Sequence, residues 1–211
     1  MRPPQFGEDI TNQTNNENVD PRMGAMMICT RLAGRAIIRV VGRCNEAQEN
    51  EKLDLSECQL MQVPDAVYHL MRHTELKSCD LSGNDITKIS PKFTVKFSLI
   101  SSLNLSHNQM AKLPEEIKDL ANLTRLDISH NSYISLPDAI FKIPNLQELN
   151  ASHNYITDVE IDLIKAAPSL QVLDLSVNPL TPRCHDHLSS ISAVRVTLTP
   201  REKEDWEDLT I

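Results

Sequence analysis

The 211-residue chain is expected to fold as an α/β solenoid, a curved parallel sheet on the concave side with short helices or 3-10 turns on the convex side. Three observations predict it. The segments LDLSECQL (53–60), CDLSGNDI (79–86), LNLSHNQM (103–110), LDISHNSY (126–133), LNASHNYI (149–156) and LDLSVNPL (173–180) repeat one pattern. Their polar landmarks, Cys58, Asn84, Asn108, Asn131, Asn154 and Asn178, recur after 26, 24, 23, 23 and 24 residues, a period typical of stacked repeats. The composition leans the same way, with 25 Leu, 17 Ile and 15 Asn against 5 Gly and 8 aromatic residues.

That composition also excludes other classes. Scarce Gly and aromatics argue against glycine-loop nucleotide folds, β-sandwiches and base-stacking RNA binders. A net charge of −8 makes a general nucleic-acid binder an unsuitable reading. No stretch of 18 apolar residues is present to span a membrane. The first twenty residues lack the basic-then-apolar order of a secretion signal, and five cysteines form no even framework. Reduced thiols and a cytoplasmic location follow as expectations, with the nucleus left open.

The elements can be placed in order. Residues 1–22 are polar and Asn-rich and are expected to be a disordered tail. Residues 23–49 read as an amphipathic capping helix, with apolar residues at 28, 32, 36, 37, 40, 41 and 44 covering the first repeat. Six repeats and a terminal half-repeat occupy 50–198. Each x-L-x-L-x core alternates with period two, which is a short strand with its two Leu turned inward. The Asn that follows is expected to satisfy backbone groups where the chain leaves the strand. The second halves, such as LPEEIKDLANL (113–123) and LPDAIFKIPNL (136–146), carry apolar residues three or four apart and read as helical or 3-10 turns. Pro64, Pro114 and Pro137 suit the entry to those turns. Ile191, Val194 and Val196 repeat the spacing once more and predict a seventh, edge strand. The acidic segment 199–211 would guard that edge.

With these motifs in place, the segment LPEEIKDLANLTRLDISHN resembles the intracellular leucine-rich-repeat family, over roughly 50–198. The resemblance implies the solenoid fold and a role in protein recognition. It specifies no partner, because such proteins share the repeat and differ in what they bind.

Candidate binding residues follow from the strand pattern. The central outward column is Asp54, Asp80, Asn104, Asp127, Asn150 and Asp174, with a serine column beside it; the bland alternative is that Asp and Ser serve solubility and turn bonding. Lys52, Arg125 and Glu148 stand in the preceding column, which varies from repeat to repeat. His107, His130 and His153 form a ladder whose rings are expected parallel and roughly 5 Å apart, so they do not converge on a metal. A pH-sensitive edge is the other use of such a ladder. Arg31, Arg35, Arg39 and Arg43 stripe the predicted helix, either as the charged face of a cap or as a contact for an acidic partner. Cys184-His185-Asp186-His187 has ligand letters without ligand spacing.

No catalytic motif stands in a persuasive context, and no metal or cofactor is expected. The sequence therefore predicts a monomeric, non-enzymatic interaction scaffold, in intracellular signalling, that binds a protein partner on its concave strand face. The alternative is a regulatory subunit acting through the Arg-striped helix and the acidic tail, with the repeats as a spacer.

Overall fold

The computed structural model describes the backbone of residues 21–201 and the side chains of residues 36–201. Contacts divide the chain after Arg35, and the unit that carries the repeats is Ala36–Ile211. Residues 1–20 of the expected tail and most of the acidic segment 199–211 lie outside the described residues, as do the side chains of Arg31 and Arg35, whereas Pro21 and Arg22, expected in the tail, already belong to a helix.

After a first helix, α1 (Pro21–Asn50), seven three-residue strands form a single parallel sheet in chain order. They are β1 (Lys52–Asp54), β2 (Ser78–Asp80), β3 (Ser102–Asn104), β4 (Arg125–Asp127), β5 (Glu148–Asn150), β6 (Val172–Asp174) and β7 (Arg195–Thr197). The register is constant, so Leu53, Cys79, Leu103, Leu126, Leu149, Leu173 and Val196 share one row. Between strands lie α2 (Asp65–Leu70), α3 (Pro91–Lys96), a 3-10 turn at Glu115–Asp119, α4 (Asp138–Phe141), α5 (Ile161–Ala166) and α6 (Pro182–Ser189). The core forms where inward strand residues meet the helical side. Leu103, Leu105, Leu126 and Ile128 are buried with Val67, Phe93, Ile117, Ile140 and Ile164. Burying one such side chain contributes about 1.5–3 kcal/mol, and no repeat supplies both walls alone.

Three prolines stand one residue earlier than the first helical turn. Pro64, Pro114 and Pro137 are N-caps, and their carbonyls accept from Val67, Ile117 and Ile140 at 3.0–3.1 Å. Their missing N–H lies outside the helical ladder, so nothing is lost.

Helix α1 reaches this unit from Ala36 onward. It buries Val40, Cys44 and Ala47, a narrower stripe than the sequence suggested. Ile37 and Val41, expected inside, remain 65% and 38% exposed. Val40 and Cys44 are four residues apart and Ala47 three further on, which is one helical face; Ile37 and Val41 fall on the adjoining one.

Candidate functional site

Four polar columns run along the strands and the turns that follow them, and the structure gives each a different job. The asparagine column is internal. Asn108 Nδ2 donates to the carbonyls of Leu81, Leu105 and Ser106 at 2.9–3.1 Å, while its Oδ1 accepts from Ile86 N at 3.0 Å. Leu81 and Ile86 belong to the preceding repeat, so each asparagine ties its own repeat to the one before. Asn84, Asn131, Asn154 and Asn178 repeat the arrangement.

Cys58 stands in the first repeat, with no earlier strand among the described residues, and an amide there would have no preceding repeat to tie. The carbonyls that an earlier strand would have paired are met by α1 instead. Elsewhere Asp80 O and Ser82 O accept from Leu55 N and Glu57 N of the previous repeat. In the first repeat the equivalent acceptors, Asp54 O and Ser56 O, receive Arg43 Nη1, and Arg39 Nη1 donates to Glu57 O at 2.9 Å. Two arginines of the predicted stripe thus stand in for a missing strand.

The aspartate column is also tied down. Asp80 and Asp127 each accept the amide and hydroxyl of the serine two residues on, at 2.6–2.9 Å. Asp54 and Asn150 hold Ser56 and Ser152 by the same pair of bonds, and Asn104 and Asp174 hold the amides of Ser106 and Ser176. Across strands, Asn104 Nδ2 donates to Asp80 Oδ2 at 3.1 Å and Asn150 Nδ2 to Asp127 Oδ2 at 3.0 Å. Alternation of Asp and Asn keeps carboxylates off adjacent rungs, where like charges about 5 Å apart repel. The exception is Asp54 beside Asp80, and there Arg43 pairs with Asp54 at 3.1 Å. Burial works to raise the Asp54 pKa, but hydrogen bonds from Ser56 and the Arg43 charge outweigh it and hold the carboxyl below its usual range.

The column before it differs. Among the described residues, Lys52, Arg125 and Glu148 make no side-chain hydrogen bond or ion pair, although Arg125 and Glu148 are neighbours in register. Arg125, Glu148, Ser102, Asn104, Asp127 and Asn150 line an open depression of about 260 Å³ across β3 to β5. The depression is shallow and open to solvent.

The fourth column turns the chain at positive φ: Glu57, Gly83, His107, His130, His153 and Val177 all lie between 52° and 65°. His107, His130 and His153 stack with centroids 4.0 Å apart and planes within 12° and 19°. The rings are parallel, as the sequence suggested, and closer than the expected 5 Å because they lean together from strands spaced wider than this. The His130 pKa is lowered, first by burial and then by the charges of His107 and His153, with Asp127 opposing.

Sequence reasoning passed over two hollows lined by no strand residue. One, of about 410 Å³, has Asp138, Asp158 and Glu160 around Phe141; the other, of about 490 Å³, has Gln48, His69, Arg72 and His73. These residues come from separate helices and the loops beside them, where no period in the sequence brings them together. The described residues contain no cluster able to hold a metal ion and no helix long and apolar enough to cross a membrane.

A family model described as "Leucine rich repeat" matches residues 74–133 and 121–180. The chain belongs to the leucine-rich-repeat family. It is 43% identical over 155 residues to mouse leucine-rich repeat-containing protein 20, covering 72% of this chain and 84% of that protein. The human protein of that name is 32% identical over 94 residues, covering 43% of this chain and 51% of its own length. Among solved structures, a leucine-rich-repeat protein of Leptospira interrogans superposes with a TM-score of 0.58 at 29% identity, over 66% of this chain and 34% of that one. Human 5T4, the trophoblast glycoprotein, shares the fold with a TM-score of 0.54 at 23% identity, over 70% of this chain and 59% of that one. These likenesses within the leucine-rich-repeat family support a protein-interaction scaffold in general terms.

Proposed function

We propose that this leucine-rich-repeat protein is a non-enzymatic scaffold that binds a protein partner across β3 to β5 of its strand face. One observation carries the reading: Arg125 and Glu148 line the depression with charges that no neighbour in the described structure uses. The asparagine column and the aspartate column are occupied with backbone and with each other. Asp80, Asp127 and Asp174 therefore contribute negative charge to the face, while Lys52, Arg125, Glu148 and the histidines supply side chains free to pair. A rigid sheet limits the ordering cost of binding. The reading places the protein in the cytoplasm as a monomer that assembles signalling partners.

The Arg-striped helix is the weaker bearer of this role, because Arg39 and Arg43 are engaged by the first repeat. Proximity labelling in cells tests the choice with two folded variants, Arg125→Glu with Glu148→Arg, and Arg31→Glu with Arg35→Glu. Loss of enriched neighbours in the first variant alone supports the strand face. Loss in the second alone transfers the function to the helix and refutes the proposal.

A further inference from the structure

Resting on the strand-face reading, we propose that the imidazole ladder of His107, His130 and His153 is a proton-gated docking edge for an acidic segment of a partner protein. The positive φ at all three positions points successive side chains the same way, and the constant register aligns them one rung apart. The result is a stack with centroids 4.0 Å apart, exposed along its edge. Such spacing suits neutral rings. Protons on adjacent rings repel strongly, so two charges settle best on the outer rings, at twice the separation, and His130 takes its proton last.

The surroundings offer these protons little compensation. Asp127 is the carboxylate that acts on His130, and its oxygens are already hydrogen-bonded to Ser129 and Asn150. Before His107 comes Gly83, a rung without a side chain, over which Glu57 leans; its Cγ lies 3.0 Å from where a Gly83 Cβ would stand. Arg39 donates to the Glu57 carbonyl at that end, and Val177 closes the other end without charge. Gln109, Ser132 and Tyr155 follow the three histidines two residues on; the carboxylate in that row, Asp85, accepts from Gln109 Nε2 at 2.9 Å. No ion pair to any of the three rings occurs among the described residues.

Proton uptake by the stack thus adds positive charge along an edge whose neighbouring carboxylates, Asp85 and Asp127, are already held by Gln109, Ser129 and Asn150. A segment bearing several carboxylates, laid across the strands, supplies the counter-charge. A basic segment would be driven off by the same change.

The test uses the full chain and a hexaglutamate peptide as probe. Binding is measured by calorimetry at pH 7.5 and 5.5, where the peptide stays largely ionised. Affinity is expected to rise about tenfold at the lower pH, the scale of two added contacts between unit charges in water. A variant with His107→Asn, His130→Asn and His153→Asn keeps residues that tolerate positive φ, and circular dichroism confirms its fold. It should lose the gain. In the parent, the His130 imidazole resonance should titrate below the ordinary histidine range. A gain that survives in the triple variant, or no gain in the parent, overturns the ladder proposal. If pH-independent binding is then abolished by Arg125→Glu, the strand-face reading stands alone; if Arg125→Glu also leaves binding untouched, both fall.

Discussion

Replacing Asn131 with Ala tests the account of how these repeats are held together. The Asn131 amide donates to the carbonyls of Leu105, Ile128 and Ser129 at 2.9, 3.1 and 3.0 Å, and accepts from Met110 N at 2.9 Å. The residue is 5% exposed, so water does not readily replace those partners. Ser129 O keeps a second bond, from His107 N. The Leu105 and Ile128 carbonyls likewise keep bonds from Asn108 Nδ2 and Asn154 Nδ2, each at 3.1 Å, so the orphaned group is the Met110 N–H. One buried unpaired N–H costs about 1–3 kcal/mol and the weakened carbonyls about 1 together, giving a destabilisation of about 2–4 kcal/mol. Urea unfolding followed by circular dichroism measures it, with calorimetry to show whether the repeats still melt as one unit. The informative control is Cys58→Asn, which installs the column's own residue at the edge. Without an earlier repeat to supply an N–H, the new amide keeps only partners in its own repeat, and the variant is expected to lose about 1–2 kcal/mol. An Asn131→Ala variant within about 1 kcal/mol of the parent, or a stabilised Cys58→Asn variant, would refute the inter-repeat tie.

Arg43→Met should lower stability by about 1–3 kcal/mol, since it orphans the Asp54 and Ser56 carbonyls; urea midpoints test this. The same substitution removes a cation that helps depress the Asp54 pKa. A depressed carboxylate stabilises above its unfolded pKa and loses that contribution as pH falls through the folded one, so the parent should weaken below about pH 4 and the variant less steeply. Tyr133→Phe should raise the melting temperature by a few degrees, because the Tyr133 hydroxyl is buried with no hydrogen-bond partner among the described residues and its removal relieves about 1 kcal/mol. Gly83→Ala should cost about 1 kcal/mol through its positive φ, a loss visible as a shifted urea midpoint with an unchanged slope.

The repeat is readable from the sequence because it is a matter of period. Leu pairs at a spacing of two and an Asn every 23 or 24 residues can arise only if the same strand and turn recur, and the sheet has that order and register. The prolines stand at the entry to the turns, as expected, and the structure adds that they are caps, which look like a first turn in sequence. Ile37 and Val41 are exposed despite their spacing, because apolarity alone does not say which of two adjoining helix faces meets the sheet.

The strand face is readable only as a set of columns, because spacing shows which residues share a surface and not what they bond to. Asp80, Asn104, Asp127 and Asn150 look like equivalent outward positions, yet their cross-strand bonds make them a ladder that largely satisfies itself. Arg39 and Arg43 look like a free cationic stripe, yet they replace the N–H groups of a strand that does not exist. The physical reason is common to both. In a solenoid each repeat lends its edge to the next, so a polar residue's partner lies some 24 residues away, and the terminal repeat must find a substitute from elsewhere. The varied column escapes this demand. Lys52, Arg125 and Glu148 face outward with no backbone group waiting for them, so chemistry there is free to differ from repeat to repeat. That freedom is what a specificity surface requires, and it directs the first binding experiments to Arg125 and Glu148 ahead of the aspartates.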